Sequence, residues 1–250
     1  MREEPRLRVA AFRPDDERLA DAVELLEALG ADPVPDPMLA VDPTGSAPRE
    51  DATYTVLTSK TGVELAAERG WTPGGTTVCA IGESTAAALR EAGYRADIVP
   101  EEFSSTGLVE RLEREVAGAR VEVARSDHGS AVLTDGLEAA GAYLHETVLY
   151  CLVRPPESGE SAELAAEGDV DAALFTSSLT VRHFLAAAAD RGVRDRAVAG
   201  LDGATVGAIG QPTRETAENA GITVDVVPDR ADFEELACAV VEAAAPTHHE

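Results

Sequence analysis

The sequence predicts an α/β protein with parallel sheets, organised as two similar halves. The first observation is a duplicated block. Val78-Cys79-Ala80-Ile81-Gly82-Glu83-Ser84-Thr85 runs on through Gly93 to Pro100, and Val206-Gly207-Ala208-Ile209-Gly210-Gln211-Pro212-Thr213 runs on through Gly221 to Pro228. Gly82 and Gly210, Thr85 and Thr213, Gly93 and Gly221, and Pro100 and Pro228 all lie 128 positions apart. Each copy reads as a short apolar strand, a glycine turn, a helix opened by Thr, a glycine stop and a second apolar strand. The second observation is that this alternation of strand and helix fills most of the chain, the pattern of a parallel sheet. The third is a pair of extended segments about a hundred residues apart, which predicts that the chain leaves one domain and later returns to it.

The elements follow in order. Residues 7–12 read as a buried strand, and Asp15 or Asp16 caps a helix that ends at Gly30. Residues 32–48 carry Pro33, Pro35, Pro37, Pro43 and Pro48 and read as an extended connector, since proline fixes φ and blocks helix. Residues 54–145 read as continuous strand–helix units, and Thr147–Val153, closed by Pro155-Pro156, as a second connector. Residues 170–243 resume the pattern, and Pro246 to Glu250 reads as a frayed tail. Val56-Leu57-Thr58-Ser59 and Leu174-Phe175-Thr176-Ser177 form a further matched pair, each ahead of a helical pattern. A fainter pair is Arg8 to Gly30 with Arg120 to Gly141. The predicted organisation is a discontinuous domain, 1–33 plus 155–250, an inserted domain, 44–145, and connecting strands at 34–43 and 146–154. Two compact domains on two strands would leave a hinged cleft.

Composition narrows the function. Of 250 residues 44% are hydrophobic but only 4% aromatic, so Ala, Val and Leu must fill the core. The net charge is −25, and Lys60 is the lone lysine. Neutralising nucleic-acid phosphates needs clustered Lys and Arg, so no nucleic-acid partner is expected. The acids are dispersed, which resembles proteins of salt-accumulating halophiles, where a Debye length of ~3 Å at 1 M screens self-repulsion. Cys79, Cys151 and Cys238 are far apart with no CxxC, a reducing-compartment pattern, and Cys79 reads as a core residue. The first residues, Met1 to Pro5, lack the apolar run of a leader, and no stretch of about 18 apolar residues exists. A cytoplasmic monomer without a membrane partner is expected.

Familiar cofactor motifs are absent: no GxGxxG, Walker lysine, GxSxG or HExxH occurs, and His128, His145, His183, His248 and His249 are not at ligand spacing. No cofactor and no metal are expected. What remains is a set of hydroxyls and glycines at strand C-termini, where open α/β sheets bind ligands. These are Thr58-Ser59, Gly82-x-Ser84-Thr85, Thr176-Ser177-Ser178 and Gly210-x-x-Thr213, with Ser104-Ser105-Thr106 after Pro100 as a fifth. Such residues ordinarily cap helices. Four equivalent turns in two halves also offer neutral donors to a ligand with many anionic groups. Arg13 and Arg125 end matching strands and are suited to pair with carboxylates.

The ordered set resembles the uroporphyrinogen-III synthase family. Its carriers are Phe12-Arg13-Pro14, Leu57-Thr58-Ser59 with Val63, and Ile81-Gly82-x-x-Thr85-Ala86 with Gly93 and Pro100. Ser105-x-Gly107-Leu108, the Arg125 turn, Gly141 with Val148-x-Tyr150, Phe175-Thr176-Ser177 and Ile209-Gly210-x-x-Thr213 complete it. Arg214 is a departure, because the family more often has a small residue after that threonine. The resemblance covers about Leu7 to Val241. It implies two flavodoxin-like parallel-sheet domains joined by a two-stranded β ladder, and a cofactor-free cyclising enzyme. The implied substrate is hydroxymethylbilane, which loses hydroxide and recloses through a spiro intermediate to uroporphyrinogen III with ring D inverted. Transient handover from hydroxymethylbilane synthase is a further implied partnership. Hydroxide is a poor leaving group, so a proton donor is needed. Tyr150 on the second connector, where the resemblance also puts a tyrosine, is the candidate. A non-catalytic two-domain binder or sensor of a small polyanion is the alternative.

Overall fold

The computed structural model describes residues 6–245. The reading of the first five residues, that of the frayed tail, and the pair His248 and His249 lie outside the described residues. In chain order the elements begin with β1 (Arg8–Phe12), α1 (Glu17–Ala28), β2 (Asp32–Pro35), β3 (Ala40–Pro43), β4 (Tyr54–Leu57) and α2 (Lys60–Glu68). Next come β5 (Thr77–Ala80), α3 (Glu83–Glu91), α4 (Ser105–Leu112), β6 (Arg120–Ser126), α5 (Ala131–Ala139) and β7 (Tyr143–Val153). The remainder are α6 (Glu160–Glu167), β8 (Ala172–Phe175), α7 (Ser178–Asp190), α8 (Arg194–Leu201), β9 (Thr205–Ala208), α9 (Gln211–Asn219) and α10 (Phe233–Ala244). The chain divides into two compact units, Met1–Ala40 with Val153–Glu250, and Val41–Leu152.

The first unit holds a parallel sheet in the order β2-β1-β8-β9, extended by an isolated bridge from Gly207 to Val226. This is the doubly wound order 2-1-3-4-5. Both faces of the sheet are covered, as a parallel sheet requires. On one side Phe12 stacks on Phe175 at 4.6 Å between ring centres and both rings meet Phe184 of α7. On the other, Val9, Ala11 and Leu174 pack under Leu236 and Val240 of α10. With few aromatics the sheet relies on close approach: a side chain at Gly207 would run into Val240 and Leu236.

The second unit repeats the layout as β7-β6-β4-β5, extended by a bridge from Cys79 to Ile98, with β3 added beside β7. Here the chain enters at the strand matching β8, so the same spatial order is a cyclic permutation of the first. The internal repeat holds at the level of single bonds. Asp97 accepts the Val78 N–H at 3.0 Å, and Asp225, 128 positions later, accepts the Val206 N–H at 2.8 Å. Ala80 donates to the Ile98 carbonyl and Ala208 to the Val226 carbonyl, both at 2.9 Å. The second apolar strand expected in each repeat is therefore only a single bridge, because Asp97 and Asp225 take the neighbouring backbone donor with their side chains.

The proline-rich segment differs from a plain connector. Asp32–Pro35 is the parallel edge strand of the first sheet. Asp32, Asp36 and Met38 donate backbone N–H groups to Leu7, Ala11 and Arg13 of the β1 side. Pro33, Pro35 and Pro37 alternate with these donors, so the missing N–H groups fall on the outer edge. Proline there removes no ladder bond and blunts the edge against further pairing. Likewise the segment read as a connector from 146 is the greater part of an eleven-residue strand that begins at Tyr143 and pairs with β6.

Candidate active site

Hydroxyl and glycine turns follow four strands in the two units, and they fall into two kinds. Ser59 ends the β4 turn as the cap of α2, accepting the Gly62 N–H at 3.0 Å. Ser177 caps α7 in the same way and is reinforced by Thr180 in a reciprocal pair of bonds. These two serines satisfy orphan helix donors. The turns after β5 and β9 are different. Their caps are Gly82 and Gly210, in extended backbone, and neither helix has a side-chain cap bond. The expectation that Thr85 and Thr213 open these helices is corrected: each is the third helical residue, and glycine cannot supply the missing acceptor. Thr85 is 1% exposed and Thr213 3% exposed, and neither side chain makes a hydrogen bond among the described residues. The N-termini of α3 and α9 thus present backbone donors without a capping side chain, at the positive end of the helix dipole.

The surroundings of the two differ. Glu83 occupies the first position of α3 and is drawn to Arg90 at 2.5 Å. In α9 the corresponding residue is the neutral Gln211, followed by Pro212. Arg214, the departure from the family pattern, pairs with Glu218 at 2.7 Å one turn further along the helix, away from its N-terminus. Ser178 donates to the Pro212 carbonyl at 2.9 Å, tying the first turns of α7 and α9 together. Thr176 donates to the Phe12 carbonyl at 2.6 Å. After Pro100 the cap of α4 is Ser104, which accepts the Gly107 N–H at 3.0 Å and donates to Glu102 at 2.7 Å. Ser105 and Thr106 lie in the first turn of α4, and Thr58 and Ser84 take no side-chain bond among the described residues.

The matched arginines diverge. Arg125 is buried, held by Glu146 at 2.5 Å and by the Ser130 carbonyl at 2.6 Å. Its reading as a carboxylate ligand for substrate is corrected, because Glu146, a partly exposed carboxylate of the protein's own β7, already occupies it. Arg13 has no such partner among the described residues. Its guanidinium lies 4.3 Å above the Phe233 ring, and its Nε is buried without a hydrogen bond. Burial, followed by the neighbouring Arg18, lowers its pKa against the pull of Asp16, Asp21 and Asp232. The group stays charged.

Tyr150 is 7% exposed and donates its hydroxyl to Ser59 Oγ at 3.0 Å. The strand pairing brings this about: β7 runs beside β6, which runs beside β4, and a bulge after Arg125 sets Tyr150 opposite Ser126. Burial, with Asp97 next, pushes the Cys79 thiol up to about 12, so it is protonated at neutral pH and unsuited to act as a nucleophile. Among the described residues no group of three or more His, Cys, Asp and Glu side chains could hold a metal ion, and no helix is long and apolar enough to cross a membrane.

The family model described as uroporphyrinogen-III synthase HemD matches residues 20–238. The chain belongs to the uroporphyrinogen-III synthase family. A putative uroporphyrinogen-III synthase of Methanothermobacter thermautotrophicus is 32% identical over 248 residues, covering 93% of this chain and 96% of the relative. The uroporphyrinogen-III synthase of Synechococcus elongatus is 30% identical over 175 residues, 64% of this chain and 66% of the relative. Among solved structures, a mutant uroporphyrinogen III synthase from the extremely thermophilic bacterium Thermus thermophilus aligns with a TM-score of 0.64 at 19% identity, covering 95% of this chain and 98% of that one. The uroporphyrinogen-III synthetase of Helicobacter pylori gives 0.62 at 14% identity, covering 95% and 99%. At such identities the likeness speaks for the fold, which is mixed α/β with parallel sheets. For a uroporphyrinogen-III synthase family member, sequence reasoning anticipated the cap in the turn after Pro100, where Ser104 fills it, and missed Asp97 and Asp225 as repeat straps, and Phe103. The two aspartates did carry a signal, since both lie inside the repeated block at its constant spacing.

Proposed function

We propose that the chain converts hydroxymethylbilane to uroporphyrinogen III, the reaction for which its family is named. The observation that carries the reading is the duplicated glycine-capped helix with a buried threonine at its third position. Such a terminus takes a carboxylate through backbone N–H groups without a basic surface, which suits a substrate with eight carboxylates on a protein of net charge −25. Arg13 adds one cation beside the β8 turn. The hydroxyl of the bilane's terminal hydroxymethyl group leaves as water after gaining a proton, and the last pyrrole attacks the methylene of the azafulvene so formed through its own substituted carbon. Fragmentation and reclosure of the spiro intermediate invert ring D, and the proton lost from carbon at closure returns to the donor. The Tyr150–Ser59 pair is our candidate for that donor. Unaided, the bilane closes without inversion, so the protein's main task is to hold a folded geometry.

The same reading has the protein acting as a cytoplasmic monomer that takes bilane from hydroxymethylbilane synthase. The free thiols Cys79, Cys151 and Cys238 support a reducing compartment. Incubating the protein with freshly made hydroxymethylbilane and resolving the product isomers tests the function. Isomer III is the expected product. Isomer I alone would leave only a binder of the polyanion.

A further inference from the structure

Phe103 is a large hydrophobic residue left 63% exposed, on a surface dominated by acids. An isolated exposed apolar side chain is ordinary, so its surroundings must decide. Phe103 rests against the backbone of Gly82: a Cβ built at Gly82 would lie 3.1 Å from the Phe103 Cβ and 3.4 Å from its Cγ. The ring is thereby set beside the uncapped N-terminus of α3. It is held there from both sides, by Gly82 and by Ser104, whose hydroxyl is fixed to Glu102 and to the Gly107 N–H. A residue just ahead of a helix cap often packs onto the fourth helical residue, here Leu108. With 63% of Phe103 still open, that contact does not account for most of the ring.

The repeat supplies an internal control. Ser104 and Asp232 lie 128 positions apart and cap α4 and α10, so the segments around them correspond. In the first unit the aromatic of this segment is Phe233, and Arg13 covers its ring at 4.3 Å. The matching arginine of the second unit, Arg125, is turned inward to Glu146 and the Ser130 carbonyl. Phe103 has no aromatic or cationic partner among the described residues. Phe233, which matches Ser105 at the constant spacing, is closed off by the protein, whereas Phe103, which matches Ala231, is left open beside an uncapped helix end.

We propose that Phe103 is a substrate-contact residue, stacking on a pyrrole ring whose carboxylate side chain sits at the α3 N-terminus. A linear tetrapyrrole offers that combination, an apolar ring face with an anionic arm a few atoms away. The proposal rests on the synthase reading given above. Offset-stacked aromatic pairs and base-on-aromatic stacking set the scale, and about a tenfold effect on affinity follows.

The test is steady-state turnover of hydroxymethylbilane by wild type, Phe103→Ala, Phe103→Leu and Phe103→Tyr, with isomers resolved and melting temperatures recorded. Phe103→Ala is expected to raise KM about tenfold, leave kcat within about threefold and leave the melting temperature unchanged. Phe103→Tyr should behave as wild type and Phe103→Leu fall between. A wild-type KM in Phe103→Ala overturns the stacking role while leaving the synthase reading intact. A melting temperature several degrees lower, with KM unchanged, assigns the ring to structure and also overturns it. Wild type that yields isomer I alone overturns the synthase reading and this proposal together.

Discussion

Tyr150 donates its hydroxyl proton to Ser59 Oγ at 3.0 Å, and the same oxygen accepts the Gly62 N–H at 3.0 Å. With two donors directed at it, Ser59 has its own proton available to a third group. In the proposed mechanism the two would act as a pair, tyrosine orienting the serine and replenishing its proton, and serine passing that proton to the departing hydroxyl. General acid assistance is typically worth ~10²–10⁴ in rate. Tyr150→Phe is expected to keep its fold and lose at least tenfold in uroporphyrinogen III formation. Ser59→Ala should lose a similar factor and about 1 kcal/mol of stability as a cap. The double variant should lose little more than either single one. Multiplicative losses in the double variant would show that the two hydroxyls act separately.

The glycine-capped helices are a matched pair of proposed carboxylate sites. Thr85→Val and Thr213→Val remove a buried hydroxyl without changing shape. A hydrogen bond to a charged group is worth ~1.5–3 kcal/mol, so bilane affinity should fall roughly tenfold to a hundredfold in each. Because neither hydroxyl has a partner among the described residues, stability should hold or rise. Loss of stability with unchanged bilane affinity would make these threonines structural.

Arg13 and Arg125 occupy equivalent strand ends, yet different fates are expected for them. Arg125 is buried while Glu146 is about a third exposed, so Arg125→Met removes hydrogen bonds of a charged group worth ~1.5–3 kcal/mol; it should lower the melting temperature by several degrees and leave KM near wild type. Arg13→Met leaves no carboxylate stranded and should mainly raise KM. Equal melting temperatures for the two variants would refute the distinction.

These arginines also show where sequence reading reaches its limit. The parallel α/β class, the two halves and the four turns were legible because they rest on local signals: glycine stops, apolar runs and a constant spacing. Arg13 and Arg125 looked alike because what separates them is Glu146, which reaches Arg125 only once β7 is laid beside β6. The prolines at 33, 35 and 37 were rightly read as extended. Their role as an edge strand depends on which side each N–H faces, and that exists only relative to β1. Thr85 and Thr213 were placed at helix starts, although glycine in extended backbone can serve as a cap and leaves the threonine two residues in. Phe103 gave no signal at all, since an exposed phenylalanine acquires meaning only from what does not cover it.

Asp36 is a buried carboxylate that ties distant parts of the chain together. It accepts the Gly159 N–H at 2.7 Å and the Ser161 N–H at 3.0 Å, and also the Ser161 hydroxyl, closing the N-terminus of α6 from the segment that follows β2. Asp36→Ala would strand those three donors in the interior. At ~1–3 kcal/mol for each unmet buried group, and with partial relief by water, a loss of about 3 kcal/mol is expected. That corresponds to a fall of roughly 6–12 °C in melting temperature for a unit of this size. Ser161→Ala removes only one donor and should cost far less. A melt for Asp36→Ala within about 2 °C of wild type, well short of that fall, would mean that α6 does not depend on this cap.

The last expectation concerns salt. Lys60–Glu64, Arg111–Glu115 and Arg214–Glu218 are exposed pairs one helical turn apart. Each is worth only a few tenths of a kcal/mol, and salt weakens it further. They cannot offset the repulsion of a chain with 46 acidic and 21 basic residues. That repulsion acts over ~10 Å at 0.1 M ionic strength and ~3 Å at 1 M, so added salt removes far more destabilisation than stabilisation. The Arg125–Glu146 pair, buried on its arginine side, is screened less than these and should persist. We therefore expect the melting temperature to climb steadily between about 0.1 and 3 M KCl, and the fold to loosen at low ionic strength. KCl should act mainly through screening, so NaCl at equal ionic strength should give a similar rise. A melting temperature that is flat or falls over that range would remove the reading of the acidic surface as an adaptation to high salt.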